Sequence, residues 1–329
     1  MRFGIHHWSW VDGPDPANAD SQSSGWTLVK KRGRRRQQTN AIALVAAMLL
    51  TAAATAAQAS DLETPRLRTN HLAFPVDWNG KRIMIGARLQ VPLNTPGKVP
   101  AVILLHGTSG IRYSGVYYAA ALNRAGVATL EIDQWGGRSL PGGASSRPKG
   151  LGDNLPDIAG AYRLLAARSE IDAERIGLMG SSMGGIETLL MMTRRNSDAL
   201  LGHDVHLKAA VALYPACWLY NHAPGADFAD LVDAPVRILV GSEDDYDGGP
   251  GACETLLRDL APPDARHVSL RVFSGATHIF DSFEGAYEYN DPASHRRQGG
   301  IVRVQPNPEA RQQARDDLVQ FFTSALKQK

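Results

Sequence analysis

Three residues in one short stretch have the spacing of an activated nucleophile. Gly180, Ser182 and Gly184 form the pattern G-x-S-x-G within RIGLMGSSMGGIETLL, residues 175–190. An apolar run precedes the pattern and a stretch with helical periodicity follows it, so we expect a sharp turn from strand to helix at Ser182. Glycines flank the serine because such a turn crowds the backbone. Ser182 is therefore the candidate nucleophile for attack on a carbonyl carbon.

A serine hydroxyl needs a general base, and a histidine follows a later strand-like segment. In a sheet of parallel strands, the reactive groups lie beyond the carboxyl ends of the strands. Of the ten histidines, only His106 and His278 come directly after predicted strands, and His106 precedes Ser182 in a different motif. We therefore expect His278 to accept the proton of Ser182.

The third member of a triad would be a carboxylate that orients the histidine. An acidic cluster follows the strand-like segment Val236–Val240 and lies between the serine and the histidine in chain order. Residue types alone do not show in which direction each side chain of this loop points. Four acids of the cluster are therefore candidates, namely Glu243, Asp244, Asp245 and Asp247.

Acyl transfer passes through an oxyanion, which backbone N–H groups can stabilise. The residue after the nucleophile begins a predicted helix, where N–H groups have no partner within the helix. A second donor is expected from the turn His106-Gly107-Thr108, which follows a buried strand-like run. The predicted oxyanion hole therefore consists of the N–H groups of Met183 and Thr108.

These residues must be positioned by a sheet of mostly parallel strands. From residue 60 onward, strand-like and helix-like segments alternate at the spacing typical of α/β domains. The predicted strands are Arg66–Val76 and Lys81–Val91 as an antiparallel pair, then Val99–Leu105, Val127–Ile132, Arg175–Met179, Lys208–Leu213, Val236–Val240 and Val268–Phe273. The predicted helices are Tyr117–Ala125, Pro156–Ala167, one after Ser182, and Glu309–Leu326. We expect helices on both faces of the sheet and no insertion long enough for a large lid domain.

Four motifs in this order resemble the dienelactone hydrolase-like group of the α/β-hydrolases. They are LLHG at 104–107, RIGLMGSSMGG at 175–185, LVGSEDD at 239–245 and SGATHIFD at 274–281. The resemblance extends from about residue 90 to the end of the chain. It implies the α/β-hydrolase fold, the chain order Ser-acid-His, and Asp244 as the acid. The founding members of the group use cysteine where this chain has Ser182.

The implied activity is hydrolysis of carboxylic esters through an acyl-enzyme, with a small-molecule or polymeric ester as substrate and no cofactor. One alternative is a hydrolase of polyesters or of acyl-peptide bonds. Another is a non-catalytic interaction module on the same fold. A metal is not expected, because neither H-E-x-x-H nor a paired Cys/His spacing occurs.

The first 59 residues have the composition of an export signal. A basic run at Lys30–Arg36 is followed by the apolar, alanine-rich stretch Ala41–Ala57 and by a small-residue cleavage pattern that ends at Ala59. A permanent membrane anchor would need about 20 strongly apolar residues. We therefore predict a signal peptide at 30–59, a catalytic domain at 60–329, and a periplasmic or secreted protein. Residues 1–29 are unassigned, and a mis-called start codon would explain them.

The positive charge of the chain belongs to this signal. Residues 1–59 hold seven of the 35 Lys and Arg residues and three of the 33 Asp and Glu residues, so the remainder has a net charge of −2. A nucleic-acid-binding protein would carry a clustered positive face, and no such run follows Ala59. This excludes nucleic acid as a partner.

The chain has two cysteines, Cys217 and Cys253. Each lies beyond the carboxyl end of a predicted strand, and the two strands are consecutive and should be neighbours in the sheet. Export to an oxidising compartment favours a bridge. We therefore predict a disulfide that braces the loop carrying Asp244.

Overall fold

The computed structural model describes residues 66–93 and 95–327. The predicted signal peptide and the unassigned extension before it lie outside the described residues. In the described part of the chain, no helix has both the length and the apolar character required to cross a membrane.

A sheet of eight strands forms the centre of the fold, in the order β1-β2-β4-β3-β5-β6-β7-β8. Strands β3 to β8 pair in parallel, whereas β1 and β2 pair antiparallel at one edge. Its strands are β1 (Leu67–Trp78), β2 (Lys81–Pro92), β3 (Val99–Leu105), β4 (Ala128–Asp133), β5 (Ile171–Ser181), β6 (Ala210–Leu213), β7 (Val236–Glu243) and β8 (Val268–Thr277). The predicted mostly parallel sheet is thus confirmed.

Helices cover both faces of this sheet. They are α1 (Tyr113–Arg124), α2 (Leu155–Ala166), α3 (Met183–Met191), α4 (Arg194–Leu201), α5 (Gly251–Arg258), α6 (Pro262–Ala265), α7 (Ser294–Arg297) and α8 (Pro308–Lys327), with short 3₁₀ turns at Gly136–Arg138, Ala144–Ser146 and Cys217–Leu219. Every residue of the central strand β3 is buried. Its alternate side chains pack in two separate cores, Ile103 with residues of α2 and α3, and Leu104 with residues of α1 and α8.

A short hairpin outside the main sheet was not predicted. Its strands, β9 (Tyr287–Asp291) and β10 (Gly300–Val304), pair antiparallel between β8 and the last helix. The segment YEYND is largely polar and carries little of the apolar signal used to find strands. The hairpin matters to function because its residues reach the cleft described below.

Candidate active site

Ser182 stands at a sterically forced turn between β5 and α3. Its φ of 53° and ψ of −113° lie in a region that non-glycine residues rarely adopt. A Cβ at Gly180 would lie 2.1 Å from the carbonyl oxygen of Gly184, and a Cβ at Gly184 would lie 2.7 Å from the carbonyl oxygen of His106. Both flanking positions therefore exclude any side chain, as the G-x-S-x-G pattern predicts.

The structure brings Ser182, His278 and Asp244 into one hydrogen-bonded chain. Ser182 Oγ lies 3.0 Å from His278 Nε2, and His278 Nδ1 lies 2.8 Å from Asp244 Oδ2. His278 and Asp244 are 1% and 2% exposed, so water competes little for the bond between them. With Nδ1 donating to the carboxylate, Nε2 is left to accept the proton of the serine hydroxyl.

Only one of the four candidate acids contacts the histidine. The second oxygen of Asp244 accepts the Tyr246 N–H at 2.9 Å, which fixes the carboxylate against the ring. Asp245 accepts the Arg303 N–H, Asp247 accepts the Cys217 N–H, and Glu243 is exposed at the end of β7.

The predicted oxyanion donors belong to residues that share a cavity with the nucleophile. Thr108, Ser182 and Met183 line one cavity, and neither the Thr108 nor the Met183 N–H donates to another group among the described residues. The Thr108 turn approaches Ser182 closely, since a Cβ at Gly107 would lie 3.3 Å from the serine Cβ. Two free N–H groups there could bind a developing oxyanion.

His106 holds this turn rather than joining the triad. Its Nε2 accepts the Gln134 N–H at 3.1 Å, so its Nδ1 carries the hydrogen and donates to the Gly107 carbonyl at 2.7 Å. Burial lowers the pKa of His106, and the ring is neutral at physiological pH.

A network around Tyr246 was missed by sequence reasoning. The Tyr246 ring packs on the His278 ring with centroids 4.2 Å apart, and its hydroxyl donates to Asp291 of β9. Arg147 forms a two-pronged ion pair with the same carboxylate. Burial opposes ionisation of Asp291, but the hydrogen bonds from Arg147 and Tyr246 prevail and lower its pKa to about 2. Through Tyr246, this network supports one face of the His278 ring.

Two cysteines flank the acid loop and are joined in a disulfide, Cys217 with Cys253, with Cα atoms 5.0 Å apart. Asp247 lies beside the bridge and accepts the Cys217 N–H at 2.7 Å. The three residues are close enough to hold a metal ion, but the sulfurs bond to each other and cannot act as thiolate ligands. Burial, reinforced by the charge of Asp244, raises the pKa of Asp247 to about 7.

A further buried carboxyl lies on α3, one turn after the nucleophile. Glu187 is 1% exposed and accepts hydrogen bonds from Gln134 at 2.8 Å and Asn154 at 3.0 Å. Burial raises its pKa to about 7. Glu187 thereby ties the helix that begins after Ser182 to the loops that follow β4 and precede α2.

The profile of the dienelactone hydrolase family matches residues 85–326 of the chain. A dienelactone hydrolase from Anabaena variabilis shares 20% identity at a TM-score of 0.53, and the alignment covers 78% of this chain and 99% of that one. Est1E from Butyrivibrio proteoclasticus, solved with ferulic acid bound, shares 19% identity at a TM-score of 0.53, covering 78% and 100%. An esterase from the archaeon Pyrobaculum calidifontis shares 17% at a TM-score of 0.56, covering 80% and 85%. These structures have the same fold as this chain.

Two uncharacterised proteins of Mycobacterium tuberculosis are each 29% identical over 163 residues. The aligned region covers 47% of this chain and 56% of each relative. The chain thus spans about half the length of the curated relatives it matches.

Proposed function

Because the chain belongs to the dienelactone hydrolase family, we propose that it is a serine hydrolase that cleaves carboxylic esters through Ser182, His278 and Asp244. The single observation that carries this proposal is the unbroken chain of hydrogen bonds from the serine hydroxyl to a buried carboxylate. A surface histidine in contact with a serine by chance would not also have its second nitrogen on a carboxylate that is 2% exposed.

In the proposed reaction, Ser182 Oγ attacks the ester carbonyl carbon while His278 Nε2 takes the hydroxyl proton. The carbonyl oxygen becomes an oxyanion, which the N–H groups of Met183 and Thr108 stabilise. The bond to the alcohol oxygen then breaks, and His278 returns its proton to that oxygen. Water, deprotonated by His278, hydrolyses the acyl-enzyme and restores the serine. Asp244 holds the ring orientation and stabilises its charged form throughout.

We also propose that the protein acts outside the cytosol, cut after Ala59 into a catalytic domain of residues 60–329. The leader-like composition of residues 30–59 and the Cys217–Cys253 disulfide support this, because disulfides persist mainly in oxidising compartments. N-terminal sequencing of the protein expressed with its own leader should find a chain that starts at Ser60.

The experiment for the proposed activity is a substrate panel with matched serine variants. The panel contains esters of graded chain length, a ferulate ester suggested by the ligand of Est1E, a polyester film and a peptide amide. We expect small-ester hydrolysis to fall by roughly 10⁴-fold in Ser182→Ala. The control variant Ser169→Ala, at an exposed serine after α2 that lines neither cavity, should retain most activity. Equal activity in the two variants would exclude Ser182 as nucleophile, and hydrolysis of only the film or the amide would favour those substrate classes.

A further inference from the structure

Two cavities meet at Ser182, and they differ in size. The small cavity has a volume of about 170 Å³ and the large cavity about 320 Å³. Both are lined by Thr108, Ser182, Arg147 and Tyr246. The last two side chains, which belong to the network on Asp291, thus border both cavities beside the nucleophile. An ester bound with its carbonyl at Ser182 can place one substituent in each cavity.

His278 decides which substituent enters which cavity. The histidine lines the large cavity and not the small one. In the proposed reaction its Nε2 must deliver a proton to the oxygen of the leaving alcohol, which requires hydrogen-bond distance between the two atoms. The alcohol part of the ester therefore lies on the His278 side, and the acyl part lies on the side of Ser181 and Ile279.

The large cavity has a largely apolar wall. Apolar side chains contribute most of it, among them Leu151, Ile186, Ala216, Trp218, Leu219 and Ala223. The carboxyl of Glu187 also borders it, but both of its oxygens already accept hydrogen bonds. The exposed side chains of Lys149 and Arg297 contribute positive charge to the same cavity. A cavity of about 150 Å³ with an apolar lining can hold benzene, so this one has room for a group of about two rings. Burial of such a group would contribute binding free energy in proportion to its apolar area.

The small cavity has polar side chains as well as apolar ones in its lining. Its lining includes the side chains of Ser109, Arg112, Ser114, Glu131 and Asn290. Its charged groups are all in ion pairs: Arg112 with Glu284 at 3.0 Å, Glu131 with Arg88 at 2.6 Å, and Arg147 with Asp291. The cavity therefore offers hydrogen bonds without an unpaired charge, which suits a neutral acyl group, and its volume limits that group to about one ring.

We infer that the alcohol of the substrate occupies the large cavity and the acyl group occupies the small one. The preferred substrates are then esters of neutral acids with at most one ring and of aromatic or cyclic alcohols with up to about two rings. This inference rests on the proposed ester hydrolysis and assigns its substrate class. Ser182 bonds to the acyl carbon, the larger alcohol leaves with the proton from His278, and water then releases the acid.

Two ester series test the assignment. In one, acetate is constant and the alcohol grows from methanol to benzyl alcohol to naphthylmethanol; in the other, methanol is constant and the acid grows from acetate to benzoate to naphthoate. We expect kcat/KM to rise by roughly 10-fold or more along the alcohol series, because added rings bury apolar area in the large cavity. Along the acid series it should fall at naphthoate, because two rings exceed the volume of the small cavity. A rise along the acid series with a fall along the alcohol series would overturn the assignment.

Cavity-filling variants provide a matched control. Ala223→Phe narrows the large cavity, and Ala144→Phe narrows the small one. Ala223→Phe should lower kcat/KM for naphthylmethyl acetate by roughly 10-fold and leave methyl acetate nearly unchanged. Ala144→Phe should instead affect methyl benzoate more than the acetates. If Ala223→Phe does not fold, Trp218→Ala enlarges the same cavity and should favour the naphthylmethyl ester over the benzyl ester.

The outcomes separate this inference from the proposed function. Ester hydrolysis that depends on Ser182 but shows the reversed size preference contradicts only the assignment of the cavities. Absence of hydrolysis of every ester in both series contradicts the proposed function and the assignment with it.

Discussion

The turn that carries Ser182 and the loop that carries Asp244 both place a side chain at the end of a parallel strand, but different forces hold them. At Ser182, nearby backbone oxygens are close enough to exclude side chains from Gly180 and Gly184. At Asp244, the orientation depends on the Tyr246 N–H and on contact with His278. A site fixed by backbone sterics leaves a signature in the sequence, whereas a site fixed by packing does not.

The acid loop illustrates the second case with two aspartates three positions apart. Asp244 and Asp247 are equally buried, at 2% and 1% exposure. Asp244 accepts from His278, while Asp247 accepts from the Cys217 N–H beside the disulfide. Neighbouring side chains, not residue type, give the two carboxyls different roles.

The largest expected effect distinguishes these two aspartates. Asp244→Asn should lower kcat for ester hydrolysis by roughly 10³- to 10⁴-fold, because an amide would no longer hold the ring in the required tautomer. Asp247→Asn keeps an oxygen that can accept the Cys217 N–H and should lower kcat by less than about 10-fold. Steady-state kinetics on one short ester is sufficient. A larger loss in Asp247→Asn would mean that the two roles are reversed.

The next effect concerns the sterics of the turn. Gly180→Ala places a methyl group within 2.1 Å of a backbone oxygen, so the turn must shift. We expect a loss of about 1 to 3 kcal/mol in the free energy of unfolding and roughly 10²-fold in kcat, because small displacements of reacting atoms are costly. Gly251→Ala is the control, since a Cβ there meets nothing within 4 Å. Equal urea-unfolding midpoints and rates in both variants would contradict steric control.

Removal of the disulfide should affect stability rather than chemistry. The bridge joins residues 36 positions apart, and cross-linking a loop of this length contributes about 3 to 4 kcal/mol in the chain-entropy model. The double variant Cys217→Ala/Cys253→Ala should therefore unfold at lower urea concentration. Its kcat for a short ester, measured well below the unfolding transition, should stay within about twofold. A large loss of kcat with stability intact would show that the bridge orients Asp244 directly.

The smallest effect is a dependence of stability on pH. The pKa of Glu187 is raised to about 7 by burial, so the folded chain holds a proton that the unfolded chain releases near its ordinary pKa. The resulting stabilisation is complete below about pH 4 and is lost as the pH rises to about 7. Glu187→Gln should make the decline in unfolding free energy between pH 4.5 and 7 shallower by up to about 3 kcal/mol. Parallel curves for the variant and the wild type would contradict this.

The elements that follow local rules were predictable from the sequence. The pattern of apolar residues predicted the central strands. The start of β5 was wrong: it begins at Ile171 rather than Arg175, because its first residues pair with β3 although they precede the apolar run. The G-x-S-x-G pattern and the position of His278 after β8 were sufficient to place both groups at the same edge of the sheet. The roles of Ser182, His278 and the oxyanion donors stay predictions.

The rest depends on contacts between distant residues. Arg147 and Asp291 are 144 positions apart, and neither carries a local signal of its partner. The hairpin that supplies Asp291 lies outside the main sheet, and its first strand is largely polar. Its sequence therefore lacks the apolar pattern that indicates a buried strand. Without the family resemblance, the choice of Asp244 among four acids would also have stayed open, because only tertiary packing shows which carboxylate contacts the histidine.

The most direct test of the central claim is covalent labelling with a fluorophosphonate probe. Its phosphorus is attacked only by a serine that a neighbouring base activates. We expect a single modified peptide that carries the probe on Ser182, with labelling abolished in Ser182→Ala, strongly slowed in His278→Ala and retained in Ser169→Ala. An unmodified wild-type protein, or a probe on a different serine, would contradict the assignment of Ser182 as an activated nucleophile.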